Sequence, residues 1–212
     1  MPETLKFPVG INLQVQGDLE VKGQVPLTPR SRIEQDDAVV YPVDLTTLRV
    51  WNAYQTTLPG TAAADDLALT SGAFGTGTPA IQAGDLKAAG ATTRYARYQV
   101  AIPIEYVSNS TLIMRVSGGM TTTVADATAT VDLEIYKWAR DGLKSGSDLC
   151  ATAATTINSL TFADVDFTIT QASLSGGDII DCRIAIAVND AATGTAVDAL
   201  VGSIELVCDV KG

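Results

Sequence analysis

The chain has 212 residues, 46% of them hydrophobic and 18% charged, which is a globular balance; its formal net charge is −10 and it contains no histidine. That charge opposes phosphate backbones and anionic lipid head groups, so neither nucleic acid nor a membrane surface is expected as a partner. Without histidine the commonest general base and metal ligand is missing, and Ser-His, Cys-His and His-zinc chemistry go with it.

The length suits one sandwich-type domain with an appendage. The apolar residues are mainly Ala, Val, Ile and Leu, interspersed with Thr, Ser and Gly, a mixture that favours strands and tight turns. The start, Met1 to Lys6, has no basic region followed by an apolar run, so synthesis in a cytosol is the expectation. No apolar stretch approaches the roughly 18 residues of a membrane helix.

Residues 1–35 hold four acids and four bases, so residues 36–212 carry the whole of the negative charge. Within this neutral arm the sequence Leu-x-Val-x-Gly-x occurs twice in succession. The first copy holds Leu13, Val15 and Gly17, the second Leu19, Val21 and Gly23, and Val25 follows. Alternation puts the apolar side chains on one face and Gln14, Gln16, Glu20 and Lys22 on the other, while each glycine permits a turn or bulge. An isolated ribbon of this kind is marginal in water. Leu13, Val15, Leu19, Val21 and Val25 therefore need cover, either from the chain's own main domain or, as the partner-binding reading has it, from other molecules. Pro26, Pro29 and the charged run from Arg30 to Asp37 read as a linker. The domain division expected is an arm over 1–35 and a sandwich over 36–212.

Strands are predicted at 45–51, 94–104, 111–117, 129–138, 155–162, 165–170, 179–188 and 201–210, with a long loop over 55–92. Most alternate cleanly. Val131, Leu133 and Ile135 oppose Asp132 and Glu134; Ile180, Cys182, Ile184, Ile186 and Val188 oppose Asp181 and Arg183; Ile204, Leu206, Cys208 and Val210 form a third apolar file. Strands with one polar face belong to antiparallel sheets that show one side to solvent. The fold class expected is all-β, an antiparallel two-sheet β-sandwich of jelly-roll type with an extended N-terminal β-arm. Helix signals are confined to possible single turns at Asp65–Leu69 and Arg140–Gly142.

Chemical motifs are sparse. The run from Gly72 to Gly77 does not match a dinucleotide fingerprint and reads as a loop, and Gly142-Leu-Lys144-Ser145 lacks the upstream glycine of a phosphate loop. The pairs Asp36-Asp37, Asp65-Asp66 and Asp164-x-Asp166 could contribute oxygens to calcium but fit no twelve-residue calcium loop, so they read as solvated turns. Paired carboxylates could also serve glycoside hydrolysis, but no pocket can be read from sequence.

Arg94-Tyr95-Ala96-Arg97-Tyr98 interleaves bases with aromatics. In a strand Tyr95 and Arg97 share one face and Ala96 and Tyr98 the other, so one face packs and the other pairs across strands. Trp51, Trp138 and Tyr136 read as core or interface anchors. Cys150, Cys182 and Cys208 are too few for a disulfide scaffold; Cys182 and Cys208 read as buried free thiols, with a bridge between them as the alternative. No catalytic, cofactor-binding or metal-ligating residue is assigned, and the chain is not expected to be an enzyme.

Three strings carry a resemblance: Gly84 to Tyr98 (GDLKAAGATTRYARY), Thr130 to Tyr136 (TVDLEIY) and Asn189 to Thr195 (NDAATGT). Over most of residues 45–212 the chain resembles tailed-bacteriophage structural proteins of the jelly-roll head-decoration or cement type. That resemblance implies a virion protein, made in the host cytoplasm and seated on the capsid surface. It also implies a homotrimer that contacts the major capsid protein through an extended arm, with no cofactor. Two other readings share the fold: a tail-fibre or receptor-binding component touching glycans through loops such as 55–92, and a carbohydrate-binding module exposing a flat row of aromatics.

Overall fold

A computed structural model describes residues 36–87, 90–121, 127–138, 144, 146–190 and 197–211, with backbone alone for 36, 37 and 127. The chain divides into two units, Met1–Ile33 and Glu34–Gly212, and everything below concerns the second. Its first strand, β1 (Asp36–Pro42), includes Asp36 and Asp37, although the charged run they close reads as a linker.

Strands β1, β4 (Ala68–Leu69), β5 (Ile81–Gln82), β7 (Leu112–Met120), β10 (Ala163–Thr168) and β12 (Ala199–Lys211) form one sheet. In it β10, β7, β12, β5 and β4 follow one another, and β1 lies beside β12. The second sheet runs β3 (Ala53–Thr57), β2 (Arg49–Val50), β6 (Thr92–Ala101), β11 (Ile179–Asp190), β8 (Ala127–Trp138) and β9 (Thr155–Thr156). Every ladder is antiparallel.

Eight of these strands make four nested pairs: β1 with β12, β6 with β11, β7 with β10 and β8 with β9. The neighbours then run β1-β12-β7-β10 in one sheet and β6-β11-β8-β9 in the other. This is the order produced when one long eight-stranded hairpin is rolled up, so the fold is a jelly-roll β-sandwich.

Alternation decides what each strand buries. On β11 the inward file is Ile180, Cys182, Ile184, Ile186 and Val188; on β8 it is Ala129, Val131, Leu133 and Ile135; on β7 Leu112, Met114 and Val116, all within one core. β12 breaks phase once. Val201 and Ile204 are both buried although three residues apart, because the register shifts between Val201 and Ser203; a β-bulge adds one residue and restores the inward direction. Cys182 and Cys208 are buried free thiols and Cys150 is a half-buried one, so the alternative of a bridge is not realised. Burial pushes the Cys208 thiol up to about 11, which keeps it protonated and unreactive at neutral pH.

Four expected elements differ. The predicted strand over 45–51 is a 3-10 turn at Leu45–Thr47, where Asp44 Oδ1 accepts from Thr46 N at 2.8 Å, followed by the two-residue β2. Asp44 thus acts as a cap and diverts the chain from extended backbone. The strand predicted over 155–162 ends at Thr156, because the chain turns at Ser159, whose Oγ accepts from Thr161 N at 3.1 Å. The loop over 55–92 contains the end of β3 and the short β4 and β5. The helical turn at Asp65–Leu69 is instead a reverse turn closed by the Ala63–Asp66 bridge, with Ala64 at φ 48°.

The run from Gly72 to Gly77 is a loop, as expected. A Cβ on Gly72 would meet the Gly77 carbonyl carbon at 2.9 Å, so these glycines let two backbone segments touch. Gly142 and most of its neighbours lie outside the described residues.

Ile184 is fully buried at the middle of β11. Ile184→Ala is expected to cost about 2–5 kcal/mol, seen as a lower denaturant midpoint with unchanged slope. On the outward face of the same strand, Ala187→Ser should move stability by no more than about 0.5 kcal/mol.

Candidate functional site

The outward face of the second sheet gathers the polar and aromatic side chains that the core excludes. β11 lies between β6 and β8, and residues paired across strands share a face. The register places Gln99, Asp181 and Tyr136 in one row; Arg49, Arg97, Arg183 and Glu134 in the next; Tyr95, Ala185 and Asp132 in a third; and Thr93, Ala187, Thr130 and Thr156 in a fourth.

Three arginines side by side would repel one another, and carboxylates and rings separate them. Arg97 grips Asp181 with both arms of its guanidinium, Nε to Oδ1 at 2.7 Å and Nη2 to Oδ2 at 2.6 Å. The Asp181 side chain is only 1% exposed, so this bidentate pair is what makes its burial tolerable. Lys144 Nζ stands 3.9 Å from the same carboxylate and 3.8 Å from the centre of the Tyr136 ring. Arg97 also lies over Tyr54 at 5.0 Å, and its hydrogen bond to Asp181 raises its already high pKa further.

Arg183 pairs with Glu134. Its guanidinium lies 5.3 Å from the Trp51 ring centre and 4.8 Å from that of Tyr95, and the two rings are 5.2 Å apart and tilted by 49°. Trp51 Nε1 donates to Asp65 Oδ2 at 2.9 Å, which fixes the indole plane. Stacking of this kind contributes about 0.5–1 kcal/mol at exposed sites and more where water is excluded.

Below this cluster the face becomes hollow. Ala185 and Ala187 offer only methyl groups from the central strand, whereas β6 contributes Thr93 and Tyr95 and β8 contributes Thr130 and Asp132. The result is a groove of about 260 Å³, closed at one end by Arg183 and Glu134. A second hollow of about 210 Å³ continues past them toward Trp51, Tyr136 and Lys144. Burial raises the pKa of Asp132, helped by the negative Glu134 and Asp148, while the hydrogen bond from Leu133 N and the charge of Arg183 oppose the shift.

A different feature marks the first sheet. Among the described strands β1 pairs only with β12, so its other edge carries no ladder. Cross-strand partners set Val40, Val207 and Ile113 in one outward apolar row over β1, β12 and β7, and Val40 is 46% exposed. The arm residues Leu13, Val15, Leu19, Val21 and Val25 lie outside the described residues.

The remaining sequence candidates are quiet. Asp166 accepts from Arg115 at 2.7 and 2.9 Å, and Asp164 stands 4.0 Å from the same guanidinium. Among the described residues no group of acidic, histidine or cysteine side chains is arranged to hold a metal. Tyr95 and Arg97 face out while Ala96 and Tyr98 are buried, as alternation required. Trp51 and Tyr136, expected as core or interface anchors, are absent from the core and belong to the outward cluster. The cluster's signal in sequence was limited to the Arg-Tyr alternation of β6, because Trp51, Glu134, Lys144 and Arg183 come from distant segments.

No family model and no curated protein sequence matches this chain. Several solved structures are similar to it. A mannan-recognising carbohydrate-binding module is 12% identical over 81% of this chain and 98% of its own, with a TM-score of 0.40. A xylan-binding domain from Paenibacillus barcinonensis is 13% identical over 72% of this chain and 86% of its own, with a TM-score of 0.38. The structure of infectious bursal disease virus, Gx strain, is 15% identical over 83% of this chain and 32% of its own, with a TM-score of 0.36. None is close enough to lend this chain a ligand or a partner.

Two outcomes follow from the electrostatics. Arg97→Met strands the Asp181 carboxylate in a buried position and should cost about 3–5 kcal/mol, whereas the double change Arg97→Met with Asp181→Leu should recover most of that loss in a denaturation double-mutant cycle. For Asp132 the folded pKa lies above the unfolded one, so its charge opposes folding at neutral pH. That penalty disappears as pH falls through the raised value toward the ordinary carboxylate range. Asp132→Asn should therefore be stabilising at pH 7 and should flatten the rise in thermal midpoint that the parent shows on mild acidification.

Proposed function

We propose that this chain is a non-enzymatic virion structural protein that decorates the outer surface of a tailed-bacteriophage head and stabilises it through its N-terminal arm. The observation that carries the reading is the open edge of β1. In sequence the alternating apolar residues Leu13 to Val25 and the linker after them precede β1, a strand that pairs only with β12 among the described strands and whose outward face shows the exposed Val40.

Open edges next to apolar alternating segments favour strand addition. Backbone hydrogen bonds then provide affinity and alternate side chains provide selectivity. In this reading Leu13, Val15, Leu19, Val21 and Val25 insert between subunits of a homotrimer or into the major capsid protein. A ligand that binds only the assembled shell stabilises it by mass action, so no cofactor and no chemical step is needed. The acidic body stands away from the shell, where its field discourages nucleic acid, membrane and like-charged neighbours.

Removing residues 1–35 tests this directly. The shortened protein should keep the thermal midpoint of the sandwich yet lose its place on purified capsids, as read by co-sedimentation and cryo-microscopy occupancy. Undiminished occupancy, or a full-length protein that sediments as a monomer and ignores capsids, would sink the proposal.

A further inference from the structure

We infer that the groove floored by Ala185 and Ala187 is a binding site for one or two rings of a neutral saccharide. The inference stands independently of how the protein attaches to any particle.

The chemistry of the walls selects the ligand. A sugar ring presents hydroxyls around its rim, each able to donate and accept, and patches of C–H on its faces. The groove supplies the complement. The hydroxyls of Thr93 and Thr130 can do either, the carboxylates of Asp132 and Glu134 accept, Arg183 donates, and the two alanine methyls form an apolar floor. Tyr95 adds a ring wall at the edge where Arg183 already lies against it.

Charge argues against other occupants. Within the groove one guanidinium faces two carboxylates, and the chain as a whole carries −10, so phosphorylated, sulfated or sialylated ligands meet net repulsion. An aromatic platform binder is not the design either, since the rings of Tyr54, Trp51, Tyr95 and Tyr136 each carry a cation from Arg97, Arg183 or Lys144. At about 260 Å³ the hollow is smaller than the ~300–1,000 Å³ sites of drug-sized ligands. It holds a ring or two of a chain that continues over the rim.

Rigidity supports the assignment. Apart from Ala154, floor and walls come from three long strands, β6, β11 and β8, paired along their length, so the polar groups are held in place before any ligand arrives and little ordering entropy opposes binding.

The test titrates the full chain, by calorimetry and by amide chemical shifts, with gluco-, manno- and xylo-configured tetrasaccharides. Sialyllactose and trilysine serve as anionic and cationic probes. At least one neutral tetrasaccharide should bind with Kd in the ~10 µM to 1 mM range, with shifts centred on β11. Ala185→Leu and Ala187→Leu, which fill the floor, should each weaken it at least tenfold while leaving the thermal midpoint in place. If a leucine variant does not fold, Thr93→Val with Thr130→Val removes two hydroxyls at nearly constant shape and should have the same effect. The inference is overturned if no neutral probe binds at about 10 mM, if only the charged probes bind, or if binding is indifferent to the folded variants.

Discussion

The structure depends on the pairing of β11 with β6 on one side and β8 on the other. Because a strand shows its side chains alternately to two faces, this one register commits Ile180, Cys182, Ile184, Ile186 and Val188 to the core and Asp181, Arg183, Ala185 and Ala187 to the outside. A slip of one residue would bury Arg183 and expose the isoleucines. Core and candidate site are thus two sides of one constraint, and neither can drift without the other.

The outward face also shows how a strongly acidic protein uses its few cations. Arg97, Arg183 and Lys144 are spent together on one small area, each against a carboxylate and at least one ring. The buried Asp181 is the anchor of this arrangement, since a carboxylate removed from water must be matched by fixed donors. Interlocked pairs of this kind resist solvent screening better than isolated surface ion pairs, and they hold Trp51 and Tyr95 at defined angles. The alanines beside them leave a hollow in this face.

The two sheets differ in what they expose. The first ends at β1, whose outer edge carries no ladder among the described strands. The second presents a rigid groove with both hydrogen-bonding signs around an apolar floor, suited to a small polar ligand.

By itself the sequence determined the strand character of 94–104, 111–117, 129–138, 179–188 and 201–210, within a few residues of the observed β6, β7, β8, β11 and β12, the direction each faces, and the burial of Cys182 and Cys208. These follow from a local period of two, which any strand with one wet face must display. It equally determined that Tyr95 and Arg97 look away from Tyr98. The tertiary structure alone decided the order of the strands, the order that makes the expected sandwich a jelly roll. It also decided the two-residue strands at Arg49–Val50, Ala68–Leu69 and Ile81–Gln82, which are too short to show any period. The union of Trp51, Tyr95, Glu134, Lys144, Asp181 and Arg183 was likewise invisible, because pairing partners lie far apart in the chain and alternation says which face a residue takes, never which residue it will meet there.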